Sequence, residues 1–208
     1  MQEIKFLQDI YPYFEYTTLI LALIFYNKYR AFTFYKYFVC YLITIVVVSI
    51  LAREVFDRNN AWLFNIYTFF EFNFVALIYR SLLKKEISKN VLKSFWISFN
   101  LIYFSSFYFL FLYKLTVIIE ALINSIFVIL FFSELLKSEN ILNYKKILPF
   151  WLSVGFLIFY LTSIPFFILS YLVVPTYAIE EFKILYSLII FLHVCFSYGL
   201  LRCKSKDI

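Results

Sequence analysis

The sequence predicts an all-α fold: a polytopic membrane bundle of seven transmembrane helices, N-terminus outside and C-terminus cytoplasmic. Three observations lead there. Of 208 residues, 64% are hydrophobic and 25% aromatic, while only 15% are charged; soluble domains carry about a quarter charged. Apolar runs approaching or exceeding the span of a membrane helix, about 20 residues, recur along the chain with short polar gaps between them. The Lys and Arg residues crowd into alternate gaps, as cytoplasmic loops do.

The first run, residues 11–26, is short and carries Glu15 near its start. Glu3, Lys5 and Asp9 precede it in place of a basic n-region, and no small-residue cleavage site follows, so it is expected to be a retained helix and not a signal peptide. The second run is 33–52 and the third 61–83, with Glu71 near the centre of the latter. The fourth is 91–113 and the fifth 115–136. Little more than Lys114 separates these two, which predicts a tight turn there. The sixth, 148–174, holds Gly155 and Pro165, where a kink or tilt is expected. The seventh, 184–201, carries the single histidine, His193.

Counting Lys and Arg through the tails and loops fixes the orientation. The first, third and fifth loops and the C-terminal tail hold 14 of the 19 basic residues; the N-terminal tail and the other loops hold 5. The richer set is assigned to the cytoplasm. The formal net charge of +6 is thereby read as membrane topology and not as a nucleic-acid footprint. Every loop is short, so residues 1–208 are expected to form a single transmembrane domain. The lipid bilayer is its first partner, and the inner (cytoplasmic) membrane of a bacterium its location.

Polar groups inside the spans carry the functional signal. An Asp at mid-membrane costs roughly 2.5–3.5 kcal/mol on insertion scales, and intramembrane ionisable groups are functional by default. Asn65, Thr68 and Glu71 recur every three residues and share one broad helical face. Tyr67 borders that face; Asn73 points elsewhere. Thr116, Glu120 and Asn124 recur every four and make a second stripe. Tyr186, His193 and Ser197 share a face of the last run, and Asn100 lies near mid-depth of the fourth. Asn65, Thr68, Glu71, Glu120, Asn124 and His193 are therefore the candidate ligand-binding residues of an internal polar pocket. A Glu–His pair, or a protonated Glu donating to a carbonyl, would remove most of the cost of burying Glu71.

Other chemistries are excluded by missing residues. One histidine is too few for a zinc site of three or four ligands, and Cys40, Cys195 and Cys203 show no metal spacing. No Asp lies inside a run, which argues against paired-aspartate hydrolases. A retinal protein needs a lysine in the middle of the last helix, and Lys183 lies at its edge. No Gly-rich phosphate loop or nucleophile elbow is present, and no inverted repeat of broken helices marks a transporter. No cofactor or metal is expected.

The stretch NNAWLFNIYTFFEFNF (59–74), together with His193 in IIFLHVCFSYGLL, resembles an uncharacterised group of small seven-helix inner-membrane proteins of Bacteroidota. That resemblance implies a sensory or accessory role beside two-component signalling proteins. The expected function is a receptor-like or accessory protein with an outward-facing polar pocket, sensing a small or lipid ligand and acting through a membrane or cytoplasmic signalling partner. The basic loop around Lys84, Lys85 and Lys89, with the C-terminal tail, is the expected contact surface. The alternatives are an intramembrane lipid-modifying enzyme using Glu71 or Glu120 with His193, and a small transporter. The outer second loop, 53–60, is expected to be a solvated turn held by Arg–Asp pairs that could also cap the pocket.

Overall fold

The structure is a computed structural model that describes residues 2–55, 61–172 and 178–203. Among the described residues every regular element is helical. The long helices are α1 (Gln2–Ile24), α2 (Thr33–Ile50), α3 (Ala61–Leu82), α4 (Glu86–Ser105), α5 (Leu110–Leu136), α6 (Leu148–Leu172) and α7 (Ala178–Arg202). Short pieces join them: a single turn Tyr26–Tyr29, a π-helical turn Leu51–Val55 after α2, and a 3₁₀ segment Glu139–Lys146.

Five segments are long and apolar enough to cross a membrane: Thr33–Arg53, Trp62–Leu82, Leu115–Leu136, Leu148–Leu169 and Phe182–Arg202. They lie in α2, α3, α5, α6 and α7. The helices α1 and α4 are not among them. Their mean hydropathy is too low: charged residues (Glu3, Lys5, Asp9 and Glu15 in α1; Glu86, Lys89 and Lys93 in α4) combine with tyrosines, serines and other polar side chains.

Neighbour relations close a ring. The helix α1 packs on α2 and α7, α2 on α3, α3 on α5, α5 on α6, and α6 on α7. The remaining helix, α4, stands outside against α3 and α5. A polar trio fastens it there. Trp96 Nε1 donates to Asn73 Oδ1 at 2.7 Å, and Asn73 Nδ2 reaches Asn100 Oδ1 at 3.4 Å. Phe72 stacks on Phe99 with ring centroids 3.8 Å apart. Asn100 thus joins α4 to the back of α3.

Several boundaries differ from the sequence expectation. The helix α1 begins nine residues before the apolar run, at Gln2. Its polar start is tied by Lys183 Nζ to Glu3 Oε2 at 3.0 Å and by Arg53 to Asp9 at 3.9 Å. Lys183 holds the Glu3 carboxyl below the usual carboxylate range. Arg53 therefore pairs across helices; residues 56–60 of its loop, with the expected Arg–Asp pairs, lie outside the described part.

The turn between α4 and α5 is not at Lys114 but at residues 106–109; Lys114 belongs to α5. Serines stand at the end of α4 there: Ser106 Oγ donates to the Tyr103 carbonyl at 2.6 Å and Ser105 Oγ to that of Leu101 at 2.8 Å. Such local bonds offer the backbone an alternative to the helical ladder. Hydrophobicity runs straight through this turn, so counting apolar residues misplaced it.

The start of α4 is also earlier than predicted, at Glu86 and not Val91. Its N-cap residue Lys85 makes no side-chain cap. Glu134 of α5 supplies one instead, accepting from the Lys84 N–H at 2.7 Å and the Lys85 N–H at 3.2 Å. An acid at a helix N-terminus meets unsatisfied N–H groups and the positive end of the dipole. At the other end of the chain, Lys28 Nζ and Tyr29 OH both donate to the Cys203 carbonyl, at 2.6 and 2.8 Å, closing the C-terminus of α7.

The helix α6 stays helical through Gly155 and Pro165, and Gly155 acts as a packing position. A Cβ there would lie 3.1 Å from Leu192 Cδ1 and 3.2 Å from Cys195 Cβ on α7. The second glycine, Gly199 on α7, faces back: its Cβ would meet Trp151 Cβ at 2.9 Å and Leu148 Cδ1 at 3.0 Å. Both glycines of the chain thus sit at one helix crossing, where a missing side chain lets backbones approach.

Candidate functional site: a carboxyl-lined cavity within the helix ring

The two halves of the ring are filled differently. Toward the end that carries the Tyr26–Tyr29 turn and the loop between α3 and α4, aromatic side chains pack densely. Phe196 meets Phe38 and Phe156 edge-on at 5.2 and 5.1 Å, and Tyr41 meets Phe156 at 5.4 Å. Tyr79 OH donates to Ser153 Oγ at 3.0 Å, and both residues are fully buried. Such edge-to-face contacts follow the ring quadrupole.

The other half holds a cavity of about 790 Å³, within the range of small-molecule sites. All six ring helices line it and α4 contributes nothing. The lining comes from the N-terminal portions of α3, α5 and α7, the C-terminal portions of α2 and α6, and the middle of α1. Tyr41 and Tyr160 both line it and both contact Phe156, so the aromatic stack forms its floor.

Five of the six candidate residues line this cavity: Asn65, Thr68, Glu71, Glu120 and His193. Every one is at most 7% exposed. Asn124, one helical turn beyond Glu120, is fully buried but is not a lining residue. The repeat spacing explains the convergence. Three- and four-residue intervals keep side chains on one helix face, and the ring turns those faces inward.

Glu71 finds its partner in a tyrosine. Tyr160 OH on α6 donates to Glu71 Oε1 at 2.9 Å, and Tyr67 of α3 and Tyr41 of α2 line the same cavity. The carboxyl is thus held by a hydroxyl from another helix; among the described residues that partner is Tyr160 and not His193. Glu120 lies within electrostatic reach of Glu71. Glu15 and Tyr11 line the cavity from α1, and Ser49 lines it from α2.

Several buried atoms have no hydrogen-bond partner among the described residues: Glu15 Oε2, Glu120 Oε1, His193 Nδ1, and both amide atoms of Asn124. The first three belong to residues that line the cavity. A buried polar atom left unpaired costs about 1–3 kcal/mol. Among the described residues no three His, Cys, Asp or Glu side chains converge closely enough to hold a metal ion.

The seam between α1 and α7 closes the ring beside His193. Thr18 Oγ1 bonds Ser197 Oγ at 3.0 Å and reaches the His193 carbonyl at 3.3 Å. Tyr11 stacks on Tyr186 at 4.9 Å and 9°. Tyr186 and Ser197, predicted to share a face with His193, therefore serve helix pairing.

Sequence reasoning did not place Glu15, Ser49, Tyr41 or Tyr160 in the site. Glu15 was visible as an acid inside an apolar run. The tyrosines were not, since 19 of them are spread through the chain and nothing local distinguishes the one that donates to Glu71. No family model matches this sequence, and no curated protein and no solved structure proved similar to it.

Proposed function

We propose that this chain is a receptor-like or accessory protein of the bacterial inner membrane that binds a small or lipid-derived ligand in the carboxyl-lined cavity and acts through a partner. In this reading all seven long helices span the bilayer, α1 and α4 included, with the N-terminus outside. The cavity then opens toward the outer face, because its lining lies in the half of the bundle away from the basic loops. The loop around Lys84, Lys85 and Lys89 and the C-terminal tail would meet the partner, and the likeness to the Bacteroidota group supports a place beside signalling proteins.

One observation carries this reading: unpartnered, almost fully buried polar atoms line a cavity large enough for a ligand. A bound molecule would satisfy them. The enzyme alternative rests on Glu71 or Glu120 paired with His193; Glu71 is engaged by Tyr160 instead, and Glu120 Oε1 and His193 Nδ1 have no partner among the described residues.

The test is extraction of the purified, detergent-solubilised protein followed by mass spectrometry. Wild type should release a stoichiometric small molecule. Ala121→Phe, which places a ring into the cavity from a buried lining position, should release none and keep its helical circular dichroism. If wild type releases nothing and Ala121→Phe melts higher, the cavity is a packing void and the reading fails.

A further inference from the structure

Resting on that reading of the cavity as a ligand site, we infer that its ligand is an organic ammonium: a protonated amine on an apolar body. Three carboxyl groups on three different helices, Glu15, Glu71 and Glu120, line the cavity, and among the described residues no Lys or Arg does. The nearby basic groups are engaged by other acids, Arg53 with Asp9 and Lys183 with Glu3. Among the described residues, then, the cavity acids have no positive partner of their own, and an ammonium on the ligand would supply one.

The unpartnered oxygens set the geometry. Among the described residues, Glu120 Oε1 and Glu15 Oε2 are acceptors without donors, on side chains 3% and 4% exposed. Two ionised carboxylates in one low-dielectric space repel each other, and a cation between them removes that repulsion. Glu120 stands within electrostatic reach of Glu71, so an ammonium seated against Glu120 Oε1 serves both.

A bare metal ion does not suit the site, since the acids do not converge into a ligand set. The walls are mostly aromatic and aliphatic: Tyr11, Tyr41, Phe64, Tyr67 and Phe159 offer ring surface, which attracts organic cations and covers an apolar body. A zwitterionic lipid headgroup would bring a phosphate along with its amine, and among the described residues no basic lining group awaits it. A free amine matches the charge of the cavity better than an aminophospholipid does.

The experiment is thermal melting of the full chain in phosphatidylcholine nanodiscs at neutral pH. Phenethylamine is compared with phenethyl alcohol, and octylamine with octanol. At least one amine should raise the midpoint in a dose-dependent way while its alcohol does not. Glu120→Gln keeps side-chain size and should weaken the amine response about tenfold or more, the scale of a lost charged hydrogen bond. Glu15→Gln provides an independent second variant should Glu120→Gln fold poorly. Glu86→Gln, at the opposite end of the bundle and outside the cavity, should leave the response unchanged.

Equal protection by the alcohols would overturn the ammonium assignment and leave the ligand cavity standing. So would an unchanged amine response in both cavity variants, or no response to either amine; the extraction experiment then decides the cavity's role separately. Replacing part of the phosphatidylcholine by phosphatidylethanolamine should give no shift and no competition with the amines. If that lipid alone protects and competes, the free-amine assignment is overturned in favour of the headgroup.

Discussion

Glu71 shows how a carboxyl can be kept inside an apolar segment. It is only 7% exposed, and the Tyr160 hydroxyl donates to it. Glu71→Leu strands that hydroxyl at roughly 1–3 kcal/mol, so its melting temperature in detergent should fall. Glu71→Gln keeps size and an accepting oxygen and should melt close to wild type. If the ionisable carboxyl is what function needs, Gln should lose ligand binding while keeping the fold. A Leu variant that melts unchanged would mean that the tyrosine contact contributes nothing. Tyr160→Phe tests the same bond from the other helix: it should lose stability in wild type and add little to Glu71→Leu, a coupling that a double-mutant cycle reads directly.

Between elements, two contacts hold helices in place by means that helical periodicity alone does not reveal. The α6–α7 crossing depends on absent side chains. Gly199→Ala would put a Cβ 2.9 Å from Trp151 Cβ, an atom fixed close to the backbone. Overpacking of this kind costs about 1–3 kcal/mol, and Gly155→Ala, with its nearest neighbour at 3.1 Å, should cost less. A detergent melt that ranks Gly155→Ala as the more damaging would contradict this packing. The start of α4 depends on Glu134, which accepts from two backbone N–H groups across the bundle. Glu134→Ala should destabilise by about 1 kcal/mol, as loss of an N-cap does. Hydrogen exchange should rise first at the start of α4; protection unchanged there would exclude the capping role.

For the molecule as a whole, orientation follows from charge and enclosure from packing. The charge split predicts that a reporter fused after Ile208 is cytoplasmic and one fused before Met1 is not. Both ends on the same side would remove either α1 or α4 from the bilayer, the two helices whose lower hydropathy sets them apart from the five apolar ones. With α1 out, the cavity would lose the wall that bears Tyr11 and Glu15.

Composition and period determined much of this protein. A chain so apolar must be helical where lipid surrounds it, because helices satisfy their own backbone. The three- and four-residue spacings of Asn65, Thr68 and Glu71, and of Thr116 and Glu120, dictate that their side chains share a face. What lies outside that reach is relative placement. Asn73 and Glu71 are two residues apart, yet one binds Trp96 behind the ring and the other lines the cavity. The turn at residues 106–109 interrupts an apolar run that hydropathy does not divide, since, tyrosine aside, Ser105 and Ser106 are the only polar side chains beside it. Which tyrosine meets Glu71, which glycine faces which helix, and that α4 stands outside the ring are decided by packing among residues distant in sequence. A one-dimensional pattern fixes the direction a side chain leaves its own helix; only the tertiary arrangement decides what it meets there.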